Sequence, residues 1–168
     1  MNIVESIRAA GVVGAGGAGF PAHVKLNGKA EYVIANGAEC EPLLRVDQLL
    51  MQREAKRVVH GVALAMEATG AARGVIATKA HYHDAVHALK QALGGRSDIT
   101  LHLMDSYYPS GDEKSIIFEV SGRVVPSGKL PLDVGCVVSN VATLVNISAA
   151  VELSLIHISE PTRRRGIS

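Results

Sequence analysis

Apolar and polar positions along the chain sort into two periods. Between Asp47 and Gly70, the residues Leu50, Ala55, Val58, Val59 and Leu64 form an apolar stripe, and Asp47 stands where a cap would. The pattern predicts one long helix over 48–70. A second stripe, Val86, Leu89, Ala92 and Leu93, predicts a helix through HYHDAVHALKQALGG that Gly94 closes. Residues 3–10 read as a short helix. Three short apolar runs, EYVIAN, GVIATK and TLHLMD, read as buried strands, the first centred on Val33 and Ile34. Strand, helix, strand, helix, strand is the signature of a right-handed parallel α/β unit, so the expected fold class is α/β with a Rossmann-like parallel sheet. Near the end, SNVATLVNI reads as a turn entering a final helix around Asn140. Its free backbone N–H groups and the Thr143 hydroxyl would make a small anion site.

That order of elements points to a location for function. Open parallel sheets bind ligands beyond the carboxyl ends of their strands. The segments after the three strands are NGAECEP, KAHYH and SYYPSGDE, the most polar, glycine-bearing and acidic stretches of the chain. The topology would gather them at one edge.

Composition narrows the classes. A length of 168 residues suits one domain with one core. The formal charge of +1 offers no global field for nucleic acid or an anionic membrane. Trp is absent and aromatics are scarce, which argues against base-stacking platforms. Two separate thiols, Cys40 and Cys136, make neither a zinc site nor an iron–sulfur cradle, and they fit a reduced cytoplasmic protein. The opening residues lead to the expectation of no signal peptide. The stretch VGCVVSNVATLVNISAAV is interrupted by Ser139, Asn140, Asn146 and Ser148, against a membrane span.

The segment LSLIHISEPTR resembles the translation of a transposase-type sequencing-library adapter. On that resemblance, residues 1–152 are expected to be the native part of a truncated protein, and 153–168 a non-native tail. Without the tail's three arginines and one glutamate, the formal charge falls from +1 to −1.

Candidate chemistry centres on GVVGAGGAGFPAHVKL, where Gly11, Gly14, Gly16, Gly17 and Gly19 fall within nine positions. A loop with so few side chains costs backbone entropy, and close backbone approach to a phosphate or a flat ring is the usual return. Gly14, Gly16 and Gly19 formally satisfy G-x-G-x-x-G, with Glu39 twenty positions on. The fingerprint of an ordinary NAD-dependent Rossmann dehydrogenase needs a strand before the glycines, whereas the upstream residues here look helical. Each residue also has a plainer reading. The loop is a turn, Lys25 a surface lysine, Glu39 and Glu41 solvated, and Asn140 and Thr143 a helix cap with its neighbour. His83 and His87 superficially match a zinc-protease helix, but no third ligand follows, and a solvated face is expected. Cys40 lies between two glutamates that would raise its pKa, against a reactive thiolate. Tyr107 and Tyr108 wall a pocket or close the core edge.

The combination is more specific than its parts. GAGGAGFPAHVKL, NGAECEP, YPSGDE and SNVAT occur in that order. The pattern resembles the flavin-binding domain of the RnfC family of electron-transport subunits. More distantly it is similar to the flavoprotein subunit of respiratory complex I, and it lies closest to the cobalamin-reductase branch. The resemblance implies an FMN site that also admits NADH. It assigns Gly14, Gly16, Gly17 and Gly19 to the loop against which flavin and nicotinamide lie, closed by Phe20. Lys25 would face the flavin phosphate or ribityl chain. Asn36 and Glu39 would hydrogen-bond the cofactor, with Glu41 nearby. Gly111, Asp112 and Glu113 match the turn beside flavin and nicotinamide, and Asn140 with Thr143 the turn that holds the FMN phosphate. Ala38, Ser139 and Ala142 depart from the complex I pattern, which has Asp, Asn and Glu there.

The function so implied is NADH oxidation through FMN, with no side chain acting as nucleophile. Electrons would leave to 4Fe–4S clusters beyond Glu152, then to a membrane electron-transport complex or a corrinoid enzyme in a microcompartment. Neither nucleic acid nor a direct membrane span is expected, and the location would be cytoplasmic. A third alternative is a nucleotide-binding or assembly module without turnover.

Overall fold

The computed structural model describes residues 2–15, 19–39, 44–105 and 111–159. A four-stranded parallel sheet, β1 (Tyr32–Gly37), β2 (Arg73–Lys79), β3 (Ile99–Met104) and β4 (Cys136–Asn140), forms its centre in the order β3-β2-β1-β4. The register sets Asn36 opposite Ala77 on one side and Asn140 on the other. Val33, Ile34 and Ala35 of β1 are fully buried, as expected of a central strand covered on both faces.

The three strands expected from the sequence are present. β4 is a fourth that the apolar pattern does not announce, and it makes the functional geometry. It returns to the far side of β1, so the strand order reverses between β1 and β4. Such a reversal opens a crevice beyond the carboxyl ends of the two strands.

Seven α-helices occur among the described residues: α1 (Ile3–Ala9), α2 (Ala22–Lys25), α3 (Val46–Arg53), α4 (Ala55–Thr69), α5 (His83–Leu93), α6 (Glu113–Ser121) and α7 (Val141–Ser159). α1 opens with a capping box in which Asn2 and Glu5 satisfy each other's backbone N–H groups. Gly94 closes α5 in the left-handed conformation, as its position predicts.

The single helix over 48–70 is corrected to two. Glu54, at φ −115° and ψ 27°, leaves helical geometry, and the chain turns there from α3 into α4. This break lets α3 pack on α5 while α4 lies along α7. Asp47 is not the cap either. Arg45 occupies that position without a side-chain cap, and Asp47 lies inside the first turn.

The main core joins α1, α3, α4, α5 and α7 to one face of the sheet, around Ile7, Met51, Val58, Val62, Leu89 and Leu144. A smaller cluster under α6, including Ile34, Ile116, Ile117 and Val138, covers the other face. The boundary expected after Glu152 falls within α7, and Ser154 Oγ lies 3.1 Å from Ser6 Oγ of α1. Among the described residues no helix is long and apolar enough to cross a membrane.

Candidate functional site

The glycine-rich segment leaves α1, not a strand, so the ordinary Rossmann fingerprint lacks its required context. The loop is instead closed on itself. Val13 and Pro21 form an antiparallel bridge, Gly14 N donates to Phe20 O at 2.9 Å, and Ala22 N donates to Val12 O at 3.0 Å. Ala15 N then donates to the Thr143 hydroxyl at 2.9 Å, which pins the loop to the first turn of α7. Gly19 has φ +67°, a left-handed conformation that glycine adopts without strain. Gly16 and Gly17 lie outside the described residues.

Between this loop and α6 lies a cavity of about 440 Å³. Gly14, Gly19, Phe20, Ala22 and Lys25 form one wall, and Gly111, Asp112 and Glu113 the other. Its floor is the end of the sheet, with Asn36 from β1, Val138, Ser139 and Asn140 from β4, and Thr143 beyond. Ten of the fourteen residues singled out in the sequence therefore line one space at the switch point. Phe20 stands half-exposed beside it. The volume falls in the range of small-molecule sites.

Each polar side chain has a defined partner. Lys25 Nζ donates to Val138 O at 2.5 Å and lies 3.5 Å from Glu113 Oε1. Asn36 Nδ2 donates to Gly111 O at 3.0 Å, while its Oδ1 accepts from Ala38 N at 3.1 Å. This single amide ties the end of β1 to the opposite wall. Asp112 caps α6, accepting from Ser115 N at 3.0 Å, so its carboxylate is committed to the helix start. Asn140 Oδ1 accepts from Ala142 N at 2.8 Å, and its Nδ2 donates to Asp47 Oδ2 at 2.8 Å.

Glu39 lies just past the end of β1 and is not among the described residues lining the cavity. Lys79 Nζ holds the Glu39 carbonyl at 2.6 Å, and the Glu39 carboxylate meets backbone N–H groups of Asp47 and Val46 at the start of α3. Its Oε2 is buried without a partner. Glu41 lies outside the described residues, as do Cys40, Tyr107 and Tyr108. His83 and His87 are exposed on α5, and no metal-holding cluster occurs among the described residues. Cys136 is buried, and burial pushes its thiol up.

Ala22, Val138 and Ser139 also line the cavity; sequence reasoning does not assign Ala22 or Val138 to the site and marks Ser139 only as a departure from the complex I pattern. The signal for Val138 and Ser139 is the polar pair Ser139–Asn140 that ends an apolar run, which marks the carboxyl edge of a buried strand. Asp47, placed by its sequence position as a cap, is instead the partner of Asn140.

Glu39 and Asp47 form an acidic pair under α3. Burial raises the Glu39 pKa and the Asp47 charge raises it further, while burial alone lifts Asp47 against its Asn140 hydrogen bond. Both carboxyls thus bind protons more tightly when the chain is folded. Stability should fall as pH rises from about 4, the ordinary carboxylate range, through the raised values. Asp47→Asn removes one charge and its push on Glu39, so its unfolding midpoint in urea should vary less across that window. Parallel pH profiles for the variant and the wild type would refute the coupling.

The residues present suit a flavin mononucleotide on one structural observation. Gly14 lines the cavity in a backbone conformation any residue adopts, and a Cβ built there meets only Phe20 backbone atoms, at 3.6 and 3.8 Å. Protein packing does not require glycine at this position. The bare backbone leaves room there for close approach of a flat ligand.

Comparison with known proteins gives a consistent picture. The Nuo51 FMN-binding domain matches residues 7–149. Cobalamin reductase PduS of Citrobacter freundii is 53% identical over 151 residues, which cover 90% of this chain and 33% of that protein. A component of the Na⁺-translocating ferredoxin:NAD⁺ oxidoreductase complex of Acetobacterium woodii is 43% identical, covering 89% of this chain and 34% of that component. Among solved structures, an NAD⁺-reducing [NiFe]-hydrogenase in the air-oxidized state superposes with a TM-score of 0.77 at 27% identity, over 89% of this chain and 30% of that one. The chain spans about a third of the length of the curated relatives it matches.

Proposed function

The chain belongs to the Nuo51 FMN-binding domain family, and from that premise we propose that its cavity holds FMN and admits NADH beside it. The observation that carries this reading is Gly14, a glycine the fold does not need, facing a cavity at the switch point. FMN, when bound, takes a hydride from a nicotinamide and releases the electrons singly, which is the cofactor's own chemistry.

The protein supplies position and electrostatics. Gly14, Gly19 and Gly111 keep the walls free of side chains where a ring system must slide in. Lys25 offers an ammonium at the wall, steadied by Val138 O and Glu113 rather than fully neutralised, since both it and Glu113 are partly exposed. Asn36 fixes the distance between the end of β1 and the α6 wall. Thr143 accepts from the glycine loop and keeps its hydroxyl hydrogen for a ligand oxygen. None of these groups needs to exchange a proton for a hydride to pass. Phe20, half-exposed beside the cavity, is the apolar surface available to a second ring.

Electrons then leave toward 4Fe–4S clusters of a longer protein, and from there to a membrane electron-transport complex or a corrinoid enzyme in a microcompartment. The names of two relatives support an electron-transfer role, one being a cobalamin reductase and one a component of a Na⁺-translocating ferredoxin:NAD⁺ oxidoreductase complex. The working location is cytoplasmic. A nucleotide-binding or assembly module without turnover is the second reading.

Anaerobic addition of NADH to the chain loaded with FMN separates the two readings. Bleaching of the oxidised flavin absorbance at stoichiometric NADH is expected. An FMN complex unchanged by excess NADH would leave the module reading and remove the oxidase.

A further inference from the structure

We infer that Asp47, a residue outside the cavity, is a positioning residue that sets the orientation of Asn140 and so determines which atom Asn140 offers to a ligand. This inference rests on the flavin reading of the cavity and extends it to α3.

An asparagine amide is nearly symmetric in shape, and its two ends differ only in whether they donate or accept. Something must choose between the two orientations. At Asn140 the choice is made from both sides. Asp47 is on α3, its side chain partly buried, and its Oδ2 lies 2.8 Å from Asn140 Nδ2. An ionised carboxylate only accepts, so it admits the NH₂ end and excludes the carbonyl end. The opposite end, Oδ1, then meets Ala142 N at 2.8 Å, satisfying a first-turn N–H of α7 that has no partner within the helix. One Nδ2 hydrogen is left uncommitted, on a residue that lines the cavity. Asn140 therefore presents a donor, which suits the oxygen-rich outline of a phosphate or a flavin carbonyl.

Without Asp47 the Ala142 N–H is the one group left to select the orientation, and the NH₂ end loses its acceptor. A flipped amide would turn its acceptor the other way, leave Ala142 N unpaired and put the wrong polarity on the cavity floor. The charged groups around Asp47 do not supply an alternative partner. Glu39 repels it, and the Lys79 ammonium is held by the Glu39 carbonyl. The strut also joins elements distant in sequence: α3 lies between β1 and β2, whereas Asn140 ends β4 at the start of α7.

A double-mutant cycle on FMN affinity tests this directly. Asp47→Ala should raise the FMN dissociation constant about tenfold, the usual loss of one ligand hydrogen bond together with its orientation. Asn140→Ala should raise it at least as much, and the double variant should bind no worse than Asn140→Ala alone. Independent effects that multiply to about a hundredfold would overturn the inference, because Asp47 would then act on its own. Asp47→Asn keeps an oxygen facing Nδ2 and covers the case in which Asp47→Ala fails to fold. It should stay within about threefold of the wild type, and a loss of about tenfold or more would count against an acceptor role.

The side-chain amide resonances of Asn140 in the ligand-free protein keep two failures apart. Slow solvent exchange of this amide in the wild type, lost in Asp47→Ala, supports the strut whether or not FMN binds. An Asn140 amide unchanged in Asp47→Ala refutes the strut. A wild-type chain that is folded and shows no FMN affinity refutes the flavin reading instead.

Discussion

Gly14→Leu should leave the chain folded and weaken FMN binding by about a hundredfold or more, the cost of forcing a branched side chain into a close-packed contact. The two halves of this expectation come from different atoms. The fold is spared because Gly14 has no left-handed backbone and its Cβ direction meets nothing closer than 3.6 Å. Its hydrogen bond to Phe20 O uses the backbone and survives substitution. Stability should thus shift by no more than about 0.5 kcal/mol, as for surface changes away from special features. Binding is lost because the cavity wall at this point is bare backbone, and leucine fills the space a ring would occupy. Gly19→Leu is a useful contrast, since it forces a side chain to φ +67° and should destabilise the loop itself. Titrating FMN into Gly14→Leu decides the matter. An unchanged dissociation constant would mean that the ligand lies elsewhere.

The largest effect on stability is expected at Gly61. α4 crosses α7 there so closely that a Cβ would lie 2.2 Å from Leu144 O and 2.7 Å from Leu144 C. Both are backbone atoms, so no rotamer change relieves the clash, and the helices must separate. Gly61→Ala should cost about 3 kcal/mol or more, against a total of roughly 5–15 kcal/mol for a domain. It should also reach the site. Leu144 is next to Thr143, whose hydroxyl holds the glycine loop through Ala15 N. Chemical denaturation measures the first effect and FMN affinity in the surviving folded fraction the second. A denaturation midpoint within experimental error of the wild type would contradict the close crossing.

The fold is only partly legible in the sequence, for identifiable reasons. β1, β2 and β3 are readable because each is a short apolar run bounded by turn residues, and Gly94 marks the end of α5. β4 is not, because Cys136–Asn140 merges into the apolar start of α7. Periodicity alone does not separate a buried parallel strand from a buried helix. The break at Glu54 has no Pro or Gly to announce it. It follows from tertiary packing, where α3 and α4 take different partners. Site residues are legible where glycines and polar residues cluster at strand ends. The direction of Glu39 is not legible, because the chain leaves β1 at Gly37, after which the alternation of faces gives no guide. Asp47 stands out as a polar residue at a helix start, but its partner Asn140 lies 93 positions away, a pairing that only the folded chain reveals.

The most direct test of the flavin site is a fluorescence titration of FMN with the wild-type chain, its folded state verified by circular dichroism. Saturable quenching at one FMN per chain, reversed in Gly14→Leu, is the expected result. A folded chain that leaves FMN fluorescence unquenched at every concentration would contradict it.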